Sequence, residues 1–395
     1  MFLTACHKNE GEDIIIRPGR PGERMERTLI IYMAAENNLS HFVDGDSLEI
    51  AAGLNTIPIG ARVVVFIDDA RSSRVCVGTN DMPLQTVMTY NRDVNAADSA
   101  DMLVVLKNIF QTYPADHYGI SFWSHGSGWV VRQSSRIKRR SFGIDNGRRD
   151  SYSNTGTEMN ITTMGNVLRQ LPHTDYVLFD ACFMQCVEVA YELRDVTDFV
   201  IGSPAEIPGD GAAYQLILPP LCKADADIDG ALRAYYENYD SGPGHETYHG
   251  VVLSAVRTSA LEALAAATRP LVAMLFDGRS EVDASEVQRY SPRDDSDYYT
   301  EYYDISHLFY KTLPEAMYAE WRVAMENAVP YRFASNEWYT ALIWGGGFMP
   351  MKDAANSACM SMFVPGRIFD DKRDWNNAYH QMAWYRAAGF DQTGW

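Results

Sequence analysis

The sequence predicts an α/β protein built on a mostly parallel sheet with helices on both faces. Short apolar runs at 28–33, 62–67, 118–123 and 176–179 have the length and composition of strands buried on both sides. Stretches with apolar residues at helical spacing lie between them. Such alternation is typical of a parallel sheet, because parallel strands need long crossover connections that usually contain a helix.

The elements of the first half follow in order from residue 28. The first strand leads through a turn at 34–40 into a helix, and the second strand ends at Asp68. A weaker run near 86–90 is predicted to form a hairpin with 74–77. Ser99 is expected to cap a helix that extends to about residue 112.

The chain changes character after about residue 215. A helix near 163–170 and a strand at 199–202 complete the first half. The second half has helical patterns at 228–239, 259–276 and 313–329, and strand patterns at 250–256, 339–344 and 358–364. We therefore predict a tether at 1–27, a catalytic domain at 28–215, and a helix-rich extension at 216–395 packed on that domain.

Composition limits the classes of function. The net charge is −18, from 34 basic and 52 acidic residues, which argues against a nucleic acid or an anionic membrane as partner. No apolar run approaches the roughly 18 residues needed to span a bilayer. The six cysteines form no CxxC pair, and no HExxH motif occurs, so we predict no zinc site.

The first residues carry a separate signal. Residues 3–6, which end at Cys6, look like a bacterial lipobox, and the polar segment up to 27 suits a tether. The charged and apolar segments that precede a lipobox are missing, so the match is either the remainder of such a signal or a chance occurrence. The first reading predicts that Cys6 is acylated, with the protein in the cell envelope or secreted.

Two strand ends carry candidate catalytic residues. The strand at 118–123 stops at His125, between small residues, and the strand at 176–179 stops at Asp180-Ala-Cys182. Parallel sheets build their sites beyond the carboxyl ends of strands, so both side chains are expected at one edge. A cysteine beside a histidine provides a nucleophile and its general base. The alternative for Cys182 is inert packing, and the alternative for the His125 segment is a turn that merely tolerates glycine.

The small residues around this pair suggest further roles. The Gly126 and Cys182 N–H groups could form an oxyanion hole if both turns face one cleft. Cys182 is also predicted to open a helix, where the positive end of the helix dipole would favour the thiolate.

Four sequence blocks follow one another along the chain: TLIIYMAAENNLS at 28–40, YPADHYGISFWSHGSGW at 113–129, DACFMQCVEVAYEL at 180–193 and GSPAEIPGDG at 202–211. In this order they resemble the clostripain family of cysteine peptidases, which belongs to the same clan as caspases, gingipains and legumain. In caspases the histidine precedes the cysteine by about 50 residues, a spacing that this sequence approximates. The resemblance implies a caspase-like fold, with Cys182 as nucleophile, His125 as base and Gly126 in the oxyanion hole.

The resemblance also implies protein or peptide substrates that are cleaved after Arg or Lys. Asp180 matches the acidic residue of the family's S1 pocket, where a carboxylate can bind a guanidinium in two hydrogen bonds. Asp210 and Glu206 lie in the loop that resembles a second wall of that pocket, and Asp210 is the stronger candidate. For Asp180 the competing role is an acid at a helix N-terminus.

Basic residues concentrate between the histidine and cysteine blocks. Because members of the family are often matured by a cut in this segment, we predict self-cleavage at one of Lys138, Arg139, Arg140 or Arg149. The alternative is an ordinary solvated loop.

Cofactors and a rival function complete the expectations. No cofactor is expected to be required, although clostripain itself responds to calcium and Asp294, Asp295, Asp297 and Asp304 could supply oxygen ligands. The rival function is a catalytically silent surface lipoprotein that uses the peptidase fold as a binding module. Its membrane contact, like that of the peptidase, would be limited to an N-terminal lipid anchor.

Overall fold

The structure is a computed structural model centred on one large sheet. It describes residues 21–130, 132–133, 138–139, 141–147, 149–292, 302–343, 345–371 and 374–395. The strands are β1 (Met25–Ala34), β2 (Ala61–Asp68), β3 (Ser73–Thr79), β4 (Met82–Thr89), β5 (Ala115–Trp123), β6 (Arg132–Gln133), β7 (Lys138–Arg139), β8 (Phe142–Asp145), β9 (Thr157–Met159), β10 (Thr174–Asp180), β11 (Thr197–Gly202), β12 (Val252–Arg257), β13 (Tyr302–Asp304), β14 (Tyr331–Ala334), β15 (Glu337–Thr340), β16 (Gly347–Pro350) and β17 (Ser361–Phe363).

The central sheet confirms the predicted fold class. Among the described residues it has nine strands in the order β14-β12-β11-β10-β5-β1-β2-β3-β4. The five central strands, from β11 to β2, run parallel. Antiparallel strands extend both edges, and one of these extensions is the expected β3–β4 hairpin.

Both faces of the sheet are covered, which explains why the central strands are apolar throughout. In β1, Ile30 and Tyr32 pack into one core while Leu29 and Ile31 pack into the other. Successive side chains of a strand point to opposite faces, so a strand between two layers needs apolar residues at every position.

The helices form two layers around this sheet. Helices α1, α5 and α6 pack on the face of Leu29, and most of the others pack on the face of Ile30. The helices are α1 (Val43–Leu54), α2 (Ser99–Thr112), α3 (Ile161–Leu168), α4 (Val187–Glu192), α5 (Tyr214–Leu221), α6 (Ile228–Asp240), α7 (His245–Tyr248), α8 (Leu261–Phe276), α9 (Ile305–Thr312), α10 (Glu315–Ala328), α11 (Ile368–Asp371), α12 (Trp375–Tyr379) and α13 (Ala383–Ala387).

The region after residue 215 is part of the same body as the first half. It packs its helices on the sheet, and it also contributes β12 and β14 to one edge. Trp384 and Phe390, near the C-terminus, lie in the same hydrophobic core as Phe179 of β10. The site at the strand ends is therefore supported by both halves of the described chain.

One helical stretch, Thr258–Arg279, is long and apolar enough to cross a membrane by length and composition. It contains α8, whose buried residues include Leu264, Leu271 and Phe276. These side chains pack in the core beside the sheet, which gives its apolar composition a role in folding.

Local sequence signals identified most elements, with small errors at their ends. The cap of α2 is Asp98, because its carboxylate accepts hydrogen bonds from the Ala100 and Asp101 amides, and the predicted cap, Ser99, is the first helical residue. The late strand patterns at 339–344 and 358–364 correspond to the shorter strands β15 and β17.

Candidate active site

The two strands that carry His125 and Cys182 are neighbours in the sheet. Strands β5 and β10 are parallel, and their register pairs Trp123 with Asp180. His125 and Cys182 each lie two residues beyond that pair. The expectation that both residues meet at one edge of the sheet is met.

Both side chains line one cavity of about 190 Å³ at the carboxyl ends of these strands. Its walls come from five segments that are separate in sequence. They are the two strand ends (Trp123, Ser124, His125, Asp180 and Cys182), the loop after β11 (Glu206, Ile207, Pro208, Gly209 and Gly211), and Leu39 with the end of β15 (Tyr339 and Ala341).

Gly126 is needed for the two strand ends to approach each other. A Cβ atom at this position would lie 2.6 Å from the Cys182 carbonyl oxygen, which is closer than real Cβ contacts allow. Gly126 also pairs with Phe142 through an antiparallel bridge. That bridge uses the His125 carbonyl and the Ser127 amide, so the Gly126 N–H lies outside its hydrogen bonds.

Cys182 lies in a tight turn. The next residue, Phe183, has φ +63°, a left-handed conformation that is rare for a bulky side chain and that marks functional turns. The predicted helix start at Cys182 is wrong, because α4 begins at Val187 after Cys186. A helix dipole that acts within its first turn therefore does not reach the Cys182 thiol directly.

Burial favours the neutral thiol of Cys182. Desolvation, followed by the charge of Glu206, raises the pKa of Cys182 to about 12, although the Ile207 amide opposes this shift. That amide donates a hydrogen bond to the Cys182 sulfur at 3.5 Å. A resting thiol of this kind needs a base to remove its proton as it reacts.

Asp180 forms a buried carboxylate in the wall of the same cavity, with 2% of its surface exposed. The Ala212 amide donates to both carboxylate oxygens, at 3.0 and 3.1 Å. A Cβ on Gly211 would lie 2.8 Å from Asp180 Oδ2, so this glycine leaves room for the carboxylate. Burial raises the pKa of Asp180 to about 6, against the hydrogen bonds from Ala212, Tyr214 and Tyr235.

Two more carboxyl groups lie behind Asp180, and the sequence analysis did not identify them. Burial, with the charges of Asp180 and Glu49, raises the pKa of Asp46 to about 9, and the Trp123 indole N–H donates to its carboxylate. Burial also raises the pKa of Glu49, whose carboxylate accepts from the Tyr214 amide at 3.0 Å. Both residues are on α1. In the sequence they look like ordinary acidic residues of a surface helix, so the pattern does not predict that they lie beside a buried site.

The two acidic residues of the loop after β11 have different positions. Glu206 lines the cavity, and its carboxylate accepts a hydrogen bond from the Thr340 hydroxyl at the end of β15. Asp210 is exposed, and its carboxylate accepts from the Tyr248 hydroxyl. The cavity therefore includes Glu206, whereas the residues that line it do not include Asp210.

His125 has a partner that no nearby sequence signal identified. Its Nε2 atom lies 2.7 Å from Oδ1 of Asn38, which follows the carboxyl end of β1. Strand β1 is paired with β5 on the side opposite β10. Three adjacent strand ends thus supply an asparagine, a histidine and a cysteine.

The candidate cleavage residues are spread over the segment after His125. Arg140 lies outside the described residues, and Lys138 and Arg139 form the short strand β7, paired with β6. Arg149 binds a separate acidic cluster, which consists of Glu36, Asp68, Asp93 and Asp145. Its guanidinium lies 3.0 Å from Asp68, 3.5 Å from Glu36 and 2.9 Å from Asp93.

The remaining candidates lie elsewhere. Cys6, Asp294, Asp295 and Asp297 are outside the described residues. Asp304 is fully buried, and its carboxylate accepts hydrogen bonds from two hydroxyl groups and three backbone amides. These donors are Tyr290, Ser357, His307, Ala358 and Cys359. This carboxylate has a structural role that joins α9 to the segment before β17.

A parallel α/β sheet with a histidine and a cysteine at adjacent strand ends matches the class of caspase-like cysteine peptidases. The chain belongs to the clostripain family, whose model (Peptidase_C11) it matches over residues 31–393. No curated protein sequence matches the chain. Family membership confirms the resemblance seen in the four sequence blocks.

Solved structures give the same family. A secreted C11 cysteine protease from Bacteroides thetaiotaomicron, in complex with an irreversible peptide inhibitor, is 29% identical with a TM-score of 0.77, covering 92% of this chain and 99% of its own. An inactive zymogen C11 protease from Parabacteroides distasonis is 26% identical with a TM-score of 0.75, covering 93% and 99%. A Bacteroides fragilis cysteine protease is 32% identical with a TM-score of 0.56, covering 64% of this chain and 99% of its own.

Proposed function

We propose that the protein is a cysteine endopeptidase that cleaves after Arg or Lys through Cys182 and His125. One observation carries this proposal: the cavity that holds both side chains also contains the buried carboxylate of Asp180. A carboxylate in a closed pocket selects a cationic side chain, because the pair forms charge-assisted hydrogen bonds away from water. Glu206 adds a second acidic group to the same wall.

The reaction follows from the neutral thiol. His125 takes the Cys182 proton as the sulfur attacks the scissile carbonyl carbon, and the Gly126 and Cys182 amides bind the resulting oxyanion. His125 then gives the proton to the departing amine. A water molecule, deprotonated by His125, attacks the acyl-enzyme and releases the new carboxylate while the thiol is restored.

A panel of fluorogenic peptides with Arg, Lys, Asp, Asn or Ala at P1 tests this function under reducing conditions. We expect turnover of the Arg and Lys peptides by the wild type and none by Cys182→Ala. Cleavage after another residue would refute the P1 assignment alone. If folded wild type is silent on every peptide, including with calcium added, the binding-module function replaces the peptidase.

We also propose that the protein processes itself between His125 and Cys182, at Lys138, Arg139 or Arg140. Arg149 is the weakest of the four candidates, because its guanidinium would have to leave three contacting carboxylates before it could enter the Asp180 cavity. The zymogen state of the P. distasonis relative supports a maturation step in this family.

Intact-mass analysis of purified wild type and three variants tests the cut. Cys182→Ala and a triple Lys138→Gln, Arg139→Gln, Arg140→Gln variant should remain one chain. Arg149→Gln should be cut like the wild type. An uncut but active wild type would refute self-processing, and loss of cutting only in Arg149→Gln would move the site to Arg149.

Localisation and cofactors complete the proposal. We propose export, with Cys6 as the lipid attachment point; the B. thetaiotaomicron relative is described as secreted. Detergent-phase partitioning of wild type but not of Cys6→Ala would support the anchor, and equal partitioning would refute it. Catalysis should need no metal, so activity should persist in a calcium chelator.

A further inference from the structure

We infer that Asn38 is a positioning residue for His125, and this inference rests on the proposed peptidase function. The carboxamide oxygen of Asn38 lies 2.7 Å from His125 Nε2, a normal hydrogen-bond length. An amide oxygen can only accept, so the Nε2 atom must carry the proton that is donated to it. The neutral imidazole then has its lone pair on Nδ1.

This tautomer decides which atom acts as the base. A histidine with the proton on Nε2 can remove the Cys182 proton only through Nδ1. The Asn38 dipole also stabilises the imidazolium that forms when Nδ1 takes the proton. Asn38 would thus orient the ring and select its tautomer without touching the substrate.

The position of Asn38 is itself built into the fold. Its backbone N–H donates to the Asn154 side chain at 3.2 Å. The preceding Asn37 side chain donates to the carbonyl oxygens of Ala34 and Ile144, at 3.0 and 2.8 Å. The turn after β1 is therefore joined to β8 and to the segment between β8 and β9. This turn holds the carboxamide at the end of the strand adjacent to β5.

Variants at position 38 separate positioning from general stability. We expect Asn38→Ala to lower kcat by about 10–100-fold with KM changed less than about threefold, because the ring is no longer held for proton transfer. Asn38→Asp should recover part of that loss. Its negative charge favours the imidazolium, so the acidic limb of the kcat/KM profile should move to higher pH by about one unit.

The matched control is Asn55→Ala, an exposed asparagine at the end of α1 whose side chain donates to the Ala52 carbonyl. We expect it to keep wild-type kcat and pH profile. If Asn38→Ala also keeps both, or if Asn38→Asp leaves the pH profile unmoved, Asn38 is not a positioning residue.

Nitrogen-15 spectra of the His125 ring, assigned with a His125→Gln variant, test the contact without relying on activity. The wild type should show the tautomer protonated at Nε2, and Asn38→Ala should show a mixture. A wild type with the proton on Nδ1 would overturn the inference. An inactive wild type with the expected tautomer would refute the peptidase function while leaving the Asn38 contact established.

Discussion

Two acidic pockets in this protein show opposite uses of their carboxyl groups. One consists of Glu36, Asp68, Asp93 and Asp145, and it contains the guanidinium of Arg149. The other contains Asp180 with Asp46 and Glu49 behind it, and none of the described residues that line its cavity is Lys or Arg. The first pocket is filled by the chain's own arginine, and the second is the one proposed to bind an arginine or lysine side chain of a substrate.

The electrostatics of the pockets sharpen this contrast. In the Arg149 pocket, burial and neighbouring carboxylates raise the pKa of Glu36 to about 7 and that of Asp68 to about 8, although Arg149 lowers both. In the cavity, burial raises the pKa of Asp180 to about 6. A bound cation would favour the charged form of Asp180. The Arg149 pocket thus illustrates the interaction that the cavity is proposed to make with a substrate.

The largest effect is expected when the carboxylate of Asp180 is removed. Asp180→Asn should lower kcat/KM for Arg and Lys peptides by about a thousandfold, because the substrate cation would lose its charge-assisted hydrogen bonds to the buried carboxylate. The P1 panel measures this loss. Asp210→Asn should lose less than tenfold, and Asp229→Asn, on α6 and outside the cavity lining, should match the wild type. Equal losses at Asp180 and Asp210 would contradict the assignment of the pocket floor.

Removing the cation from the filled pocket should reduce stability instead of specificity. Arg149→Leu leaves Glu36, Asp68 and Asp145 buried together, and we expect a loss of about 3 kcal/mol in the free energy of unfolding near neutral pH. The loss should be smaller at pH 5, where more of these carboxyl groups are protonated. Urea unfolding at both pH values measures it. Arg322→Leu, which removes an exposed ion pair on α10, should cost less than about 1 kcal/mol.

A third prediction addresses the contact between the two strand ends that carry His125 and Cys182. Gly126→Ala should lower kcat by about a hundredfold, because the added methyl group meets the Cys182 carbonyl and displaces the oxyanion amides. The P1 panel and circular dichroism would report activity and fold separately. Gly45→Ala, in α1 with open space around it, is the control. Full activity in Gly126→Ala would show that the two turns can move apart without loss of catalysis.

The smallest expected effect comes from the carboxyl group behind Asp180. The folded-state pKa of Asp46 is raised to about 9 from 3.8, so the folded protein holds a proton that the unfolded chain releases. Stability from this group is therefore lost as pH rises between about 4 and 9. Relative to wild type, Asp46→Asn should therefore be more stable at pH 8 than at pH 5. Asp44→Asn, on the exposed side of the same helix, should show no such gain in thermal unfolding.

Much of this arrangement could be predicted from local sequence. Apolar runs of strand length predicted the parallel sheet, since strands between two helical layers must be apolar on both faces. The abrupt ends of two of those runs predicted that His125 and Cys182 would share an edge. The helix predicted at Cys182 was wrong, because the apolar pattern does not reveal the left-handed turn at Phe183 that delays α4 to Val187.

The amino-acid sequence by itself determined the fold class, the family and which two strand ends carry His125 and Cys182. These features depend on periodicity and on short motifs within contiguous segments. Only the tertiary structure decided which carboxyl groups meet. Asp46 comes from α1, Glu206 meets Thr340 from the far half of the chain, and Arg149 is held by residues from three separate segments. Burial, proximity of charge and the Asn38–His125 contact arise only when distant segments pack together, so a linear pattern does not contain them.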